Sequence, residues 1–233
     1  MSYPVYIALG SNLGDRLENL RNAVRSLFPS APVCRLSEIY ETPPWGYLQQ
    51  PPFLNMAVEA QTSLALQNLL NLVQSIEKKM GREKEILNGP RVIDLDILFI
   101  ESIISQDDQL TVPHPRMRYR GFVLRPMMDL APQFIHPELG LSISALLQEC
   151  NLDGISPILS AHEFEPGLIP LRLLPVEAAR MLHDKPAEKI FNRLPLSHQQ
   201  EYIRFISDAK KADTRQRRAE KILEMLGEKE THS

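Results

Sequence analysis

The chain has 233 residues, 43% of them hydrophobic and 24% charged, with a net charge of −3. This balance suits a globular protein with a buried core and excludes a disordered or fibrous chain. The charge excludes a global pull on nucleic acid or an anionic membrane, and two cysteines, Cys34 and Cys150, are too few for a disulfide framework.

The elements read in order. Val5–Leu9 is a short apolar strand ending in a Gly-Ser-Asn turn, and "MSYPVYIALGSN" lacks the basic and long apolar regions of a secretory signal. No window reaches the ~20 apolar residues that span a bilayer, so a cytoplasmic protein is expected. A helix follows from about Asp15, with Leu17, Leu20, Val24 and Leu27 on one face, closed by Pro29 and Pro32. "VCRLSEIYET" and "FLNMAVEAQT" alternate as half-buried strands, separated by the turn-rich "PPWGYLQQPP". Ser63 is placed to cap a second helix, whose stripe Leu66, Leu69, Leu70, Val73, Ile76 and Met80 ends at Gly81. A polar loop, "REKEILNGP", leads into "RVIDLDILFI", and a basic, proline-bracketed loop with an apolar segment comes next. Strand, helix, strand, strand, helix, strand is the order of an α+β, ferredoxin-like (split βαβ) fold. That fold is an antiparallel sheet with helices packed on one side and the other face available for a site.

Composition changes near Leu152. Residues 1–152 are expected to form the α+β domain, 153–174 a linker, and 175–233 a small α-helical module. Ser197 with Gln200, and Asp213 with Gln216, look like capping boxes in that module. Tyr202, Phe205, Ile206 and Ala209 on one helix can face Ala219, Ile222, Leu223 and Leu226 on the next.

The stretch with most chemistry is Arg91–Ile100. Alternation along a strand sends Ile93, Leu95, Ile97 and Phe99 one way and Asp94 and Asp96 the other. Two neighbouring carboxylates disfavour each other's ionisation unless a cation compensates. An Asp-x-Asp face suits Mg²⁺, which takes one or two carboxylates and completes its shell with water and phosphate oxygens. Taken alone, the same pattern better fits an edge strand with two solvated acids. Arg82, Lys84 and Arg91 upstream, and His114, Arg116, Arg118 and Arg120 downstream, supply the cations a metal–polyphosphate site needs. "YETPPWG", followed by Phe53 and Asn55, offers aromatic walls and an amide for a flat heteroaromatic ligand, with core packing the alternative for Phe53. "GSNLGD" lacks the Walker lysine and the dinucleotide spacing and reads as a structural turn.

Together "ALGSNLGDR", "YETPPWG", "FLN", "NGPRVIDLDIL", "LTVPHPRM" and "RGFVL" closely resemble the 6-hydroxymethyl-7,8-dihydropterin pyrophosphokinases of folate biosynthesis, over roughly residues 4–150. The resemblance implies a ferredoxin-like fold and transfer of the β,γ-diphosphate of ATP to the pterin hydroxymethyl oxygen, with release of AMP. It implies catalytic roles for Arg82, Arg91, Asp94 and Asp96, with Asp94 and Asp96 binding two Mg²⁺ ions. It places Gln74, Glu77, Thr111, His114 and Arg120 on ATP, and Thr42, Pro43, Trp45, Phe53, Asn55 and Phe122 around the pterin. Asn88 stands where several relatives carry tryptophan, Leu87 where a basic residue is common, and Pro115 where some carry an aromatic residue. The C-terminal stretch, chiefly "SHQQEYIRFISDAKKADTRQRRAEK", is similar to the helical region of the YdeI/OmpD-associated family. It reads as an interaction or stabilising module without catalysis, with a possible protein partner. Two other readings compete: a metal-dependent nucleotidyltransferase, which releases pyrophosphate, and a binding module without ATP turnover.

Overall fold

A computed structural model describes residues 2–82, 88–101, 103–107, 109–164, 191, 194, 198, 201–202, 205–206, 208–209 and 211–230. Lys84, Leu87, Ser197, Gln200 and Lys210 lie outside the described residues, as does all of 165–190. The chain divides into two compact units, residues 1–27 with 33–165, and residues 28–32 with 166–233.

The first unit opens with β1 (Tyr3–Ser11), α1 (Arg16–Leu27), β2 (Val33–Leu36), β3 (Ile39–Thr42), β4 (Phe53–Thr62), α2 (Leu66–Lys79) and β5 (Asp94–Ile100). The strands form one sheet in the order β5-β1-β4-β3, with β2 also on β4, and the pairings are antiparallel. This is the split βαβ arrangement. Asp15 caps α1 by accepting the Glu18 N–H at 3.0 Å. Ser63 does not cap α2: the N-cap is Ala65, with no side-chain hydrogen bond, because the helix starts two residues later than the hydroxyl could serve. Gly81, at φ +85°, ends it in the left-handed region glycine favours.

Val5, Ile7 and Leu9 alternate with Tyr6, Ala8 and Gly10 along β1. The first set is almost fully buried, on the face that takes α1 and α2 through Leu20, Val24, Leu27, Leu69, Val73 and Ile76. Each such side chain contributes roughly 1.5–3 kcal/mol by leaving water. The opposite face is shared. At one end, α3 (Gly121–Leu130) and α4 (Ile143–Gln148) cover Tyr6, Ala57, Leu98 and Phe99 with Val123, Leu124, Met127, Leu130, Ile143 and Leu146. The other end, around Gly10, is left to the pocket described below.

The alternation of β5 holds only as far as Ile97. Ile7 pairs with Ile97 but Tyr6 with Phe99, a bulge that inserts Leu98. Phe99 therefore turns to the Tyr6 face, with ring centroids 6.4 Å apart edge to face, contrary to the strict period-2 expectation. The Leu98 carbonyl accepts the His114 N–H at 3.0 Å and ties the following loop to the strand. That loop carries β6 (Ser105–Gln106) and β7 (Thr111–Val112), which pair with each other. Within the stretch expected as linker, β8 (Ser156–Leu159) pairs with β3, and α5 (Ala161–Phe164) brings a fully buried Phe164 whose carbonyl accepts from Arg21 Nε at 3.0 Å.

In the second unit Phe191, Ile206, Ala219, Ile222 and Leu226 are buried together, with Phe28, Leu194, Tyr202 and Leu223 against them. The helix Ala212–Glu230 supplies Ala219, Ile222 and Leu226 at helical spacing. No helix among the described residues is long and apolar enough to cross a membrane.

Candidate active site

The floor of the pocket is set by strand register. Gly10 lies between Asp94 of β5 and Asn55 of β4, and Ala8 lies between Asp96 and Ala57. Small residues in the central strand keep the space above them open. At Gly10 a Cβ would come within 2.7 Å of Asn55 Oδ1, so glycine is what lets the Asn55 amide lie where it does. Asn55 is buried, and its Nδ2 donates to Thr42 Oγ1 at 2.7 Å, which fixes the amide's orientation. Pro43, Trp45, Phe53 and Phe122 complete an aromatic slot, with Asn88, Arg91, Asp94, Asp96 and Arg120 on its polar side. Trp45 is half-exposed.

The charged groups form two linked sets. Asp94 is held by Arg82 Nη1 at 2.7 Å and Arg91 Nη1 at 2.8 Å. Arg82 is shared with Glu77 of α2, whose Oε1 also accepts the Leu95 N–H at 2.8 Å. Burial pushes Asp94 above the ordinary carboxylate range; the Asp96 charge adds to this, and Arg82, Arg91 and Arg120 oppose it. Glu77 is likewise raised by burial, against the Leu95 hydrogen bond and Arg82. Asp96 faces Arg120 Nη1 at 3.3 Å and His114 Nε2 at 3.7 Å. Burial lowers the His114 pKa, so the ring is neutral near pH 7. Its Nδ1 accepts the Arg116 N–H at 3.3 Å, which leaves Nε2 to carry the proton toward the site.

Arg120 is 6% exposed, and its guanidinium lies 5.2 Å from the Trp45 ring centre and 5.6 Å from that of Phe122. Its buried Nε has no hydrogen-bond partner among the described residues. A buried N–H without an acceptor costs roughly 1–3 kcal/mol. At a pocket wall, such a donor is available to an incoming acceptor.

Of the residues singled out from the sequence, Thr42, Pro43, Trp45, Phe53, Asn55, Arg91, Asp94, Asp96, Arg120 and Phe122 line one pocket. Arg82, Glu77 and His114 stand behind it, touching its acids or tied to their strand. Gln74 is exposed on α2 one turn before Glu77, and Thr111 is half-buried on β7; neither lines the pocket. Gly10 and Ala8 also line the pocket, and their only sequence signal is smallness at the acidic register. Asn12 reads in the sequence only as part of a turn.

Asp94 and Asp96 are the residues fitted to hold a divalent cation. They supply hard oxygen donors from one strand face, and their mutual repulsion asks for a positive charge between them. Two carboxylates are what an ion such as Mg²⁺ takes from a protein when it draws its other ligands from water and substrate.

The site of this ferredoxin-like α+β protein thus sets paired acids among arginines beside an aromatic slot. The model of the 7,8-dihydro-6-hydroxymethylpterin-pyrophosphokinase (HPPK) family matches residues 6–132. The chain belongs to that family. It is 50% identical over 135 residues to the 2-amino-4-hydroxy-6-hydroxymethyldihydropteridine pyrophosphokinase of Bacillus subtilis, covering 57% of this chain and 81% of the relative. It is 41% identical over 156 residues to the folic acid synthesis protein fol1 of Pneumocystis carinii, covering 66% of this chain but 21% of that protein. The chain therefore spans about a fifth of the length of such relatives. A Plasmodium falciparum HPPK-DHPS triple mutant has the same fold, with a TM-score of 0.52 at 17% identity over 64% of this chain and 44% of that one. Residues 174–229 match a second family model, described as bacteriocin-protection, YdeI or OmpD-associated.

Proposed function

We propose that this chain transfers the β,γ-diphosphate of ATP to the hydroxymethyl oxygen of 6-hydroxymethyl-7,8-dihydropterin, releasing AMP, as a step of folate biosynthesis. The observation that carries the proposal is the shared pocket: Asp94, Asp96, Arg91 and Arg120 meet the Trp45–Phe53–Phe122 slot and the Asn55 amide in one cavity. The family and the Bacillus subtilis relative support the same reading.

In this reading the pterin ring lies between the aromatic walls, and the Asn55 amide, oriented by Thr42, reads its donor and acceptor edge. Its hydroxymethyl group then points toward the acidic end of the pocket. The alcohol oxygen bonds to the β-phosphorus, the bond from that phosphorus to the α–β bridging oxygen breaks, and AMP leaves with the bridging oxygen while the alcohol proton passes to solvent water. Asp94 and Asp96 would hold Mg²⁺, two ions in our assignment, which neutralise phosphate charge when bound. Arg82 and Arg91 exchange their hold on Asp94 for phosphate oxygens. The unpaired Nε–H of Arg120 and the Nε2–H of neutral His114 donate to phosphate oxygens, and Gln74, Glu77 and Thr111 are assigned to the ATP side. No strong base is needed, because charge stabilisation and in-line positioning carry phosphoryl transfer. The second unit is assigned a non-catalytic, interaction or stabilising role.

The test is chromatography of nucleotides after mixing protein, ATP, Mg²⁺ and the reduced hydroxymethylpterin. AMP that appears only with the pterin present is the expected product. Release of pyrophosphate, or no turnover, would replace this assignment with a nucleotidyltransferase or a binding module.

A further inference from the structure

We infer that Asn12 is a positioning residue that couples the loop preceding Phe53 to the guanidinium of Arg91. The inference rests on the activity proposed above only for its kinetic consequence; the coupling itself is a property of the free protein.

Asn12 stands just past the end of β1 and is 2% exposed. Every polar atom of its side chain is used between segments distant in sequence. Its Oδ1 accepts the Arg91 N–H at 2.7 Å, and its own N–H donates to the Arg91 carbonyl at 3.1 Å. One residue thus holds both backbone groups of Arg91. Its Nδ2 donates to Gln50 Oε1 at 3.0 Å and to the Pro51 carbonyl at 3.0 Å. Gln50 carries the link onward, with Nε2 donating to the Tyr47 carbonyl at 2.6 Å and the Asn88 carbonyl at 2.8 Å.

Arg91 stands at the far side of this link. Its guanidinium lies 2.8 Å from Asp94 Oδ2 and 5.7 Å from the Phe53 ring centre, so it touches both the acidic set and the aromatic slot. A displacement of residues 47–51, which lie between Trp45 and Phe53, reaches Arg91 through a chain of three polar groups. Asparagine is suited to this place because its amide offers an acceptor and two donors in one short plane. Aspartate keeps the acceptor and loses the donors; alanine loses both and leaves the Arg91 N–H without its acceptor.

The full chain and its Asn12→Ala, Asn12→Asp, Arg91→Ala and Asn12→Ala/Arg91→Ala variants test this. Amide hydrogen exchange in the ligand-free protein reads the link directly. In Asn12→Ala the Arg91 amide should exchange about tenfold faster or more, while β4 amides keep their protection. In Asn12→Asp the Arg91 amide should stay protected. Kinetically, Asn12→Ala should lower kcat for AMP formation about tenfold or more with pterin KM changed less than about threefold, since misplacing a reacting group costs rate more than binding. In the Arg91→Ala background the same change should cost less than about twofold, because its target is gone. The inference is overturned if Arg91 exchange is unaltered, if β4 protection collapses with it, or if the kinetic losses simply multiply. A wild-type chain that makes no AMP would remove the proposed activity while the exchange comparison still decides the coupling.

Discussion

Asp96→Asn separates what the acidic face does for stability from what it does for chemistry, because the substitution keeps shape and removes charge. In the folded protein Asp96 is attracted to Arg120 at 3.3 Å, about 5 kcal/mol at an effective dielectric near 20. It is repelled by Asp94, two residues along the same strand face and so roughly 6.6 Å away, about 2.5 kcal/mol on the same scale. The difference favours the charge by about 2.5 kcal/mol, and because the Asp96 side chain is 32% exposed, solvent screening brings this to roughly 1 kcal/mol. The variant should therefore unfold within about 1 kcal/mol of wild type in denaturant titrations. AMP formation should fall about 10²-fold or more, the scale of losing one electrostatic group from a preorganised site. There is also a pH signature. Asp94 is raised, so its contribution to stability is full below the unfolded carboxylate value and lost as pH rises through its folded value. Removing the Asp96 charge lowers that folded value and shrinks the loss. Denaturant midpoints at pH 4 and pH 7, set beside AMP yields, check all three statements. Near-wild-type turnover, or destabilisation beyond about 3 kcal/mol, would refute the assignment of Asp96 to the chemistry.

Gly10→Ala should drive its new methyl into Asn55 Oδ1 and swing the amide off Thr42, costing about 10-fold or more in pterin affinity by calorimetry; unchanged affinity would show that Asn55 does not read the ligand. His114 has a depressed folded pKa, so it supplies stability above pH 6.5 that is lost as pH falls through its folded value. Its ring resonances should titrate below 6.5 by NMR, and a midpoint at or above 6.5 contradicts the burial argument. A chain ended after Glu165 should keep AMP formation, whereas one ended after Leu152 loses β8 and the buried Phe164 and should be less stable by about 3 kcal/mol or more; equal melting temperatures would exclude β8 from the folding unit. Phe28→Ala should destabilise the second unit by about 2 kcal/mol, visible as faster exchange at Ile222 and Leu226, and unchanged exchange there would show that Phe28 adds nothing to that cluster.

The acidic pair was legible because alternation along a strand is local geometry: once "VIDLDIL" is extended, Asp94 and Asp96 share a face. The same rule failed two residues on, at Phe99, because the bulge at Leu98 arises in the pairing of β5 with β1. Ser63 failed as a cap for a related reason, since packing of α2 placed its start at Leu66. Asn12 was invisible as a link. Its partners Gln50 and Arg91 are 38 and 79 residues away, and no spacing rule connects them.

Periodicity, turn residues and charge order along the chain were enough to determine the two helical stripes, the acidic face, the residue types that could meet around it and the order of elements through β5, except that "VCRLSEIYET", expected as one strand, is two, β2 and β3, each paired with β4. These are properties of neighbours in sequence. Only the tertiary structure decided that Gly10 and Ala8 form the floor between Asp94, Asp96 and Asn55, that α3 and α4 cover one end of the face expected to be open, and that Arg120 is buried with a donor to spare. Each of these depends on which strands lie side by side and on how much water they exclude, and a chain acquires both only by folding.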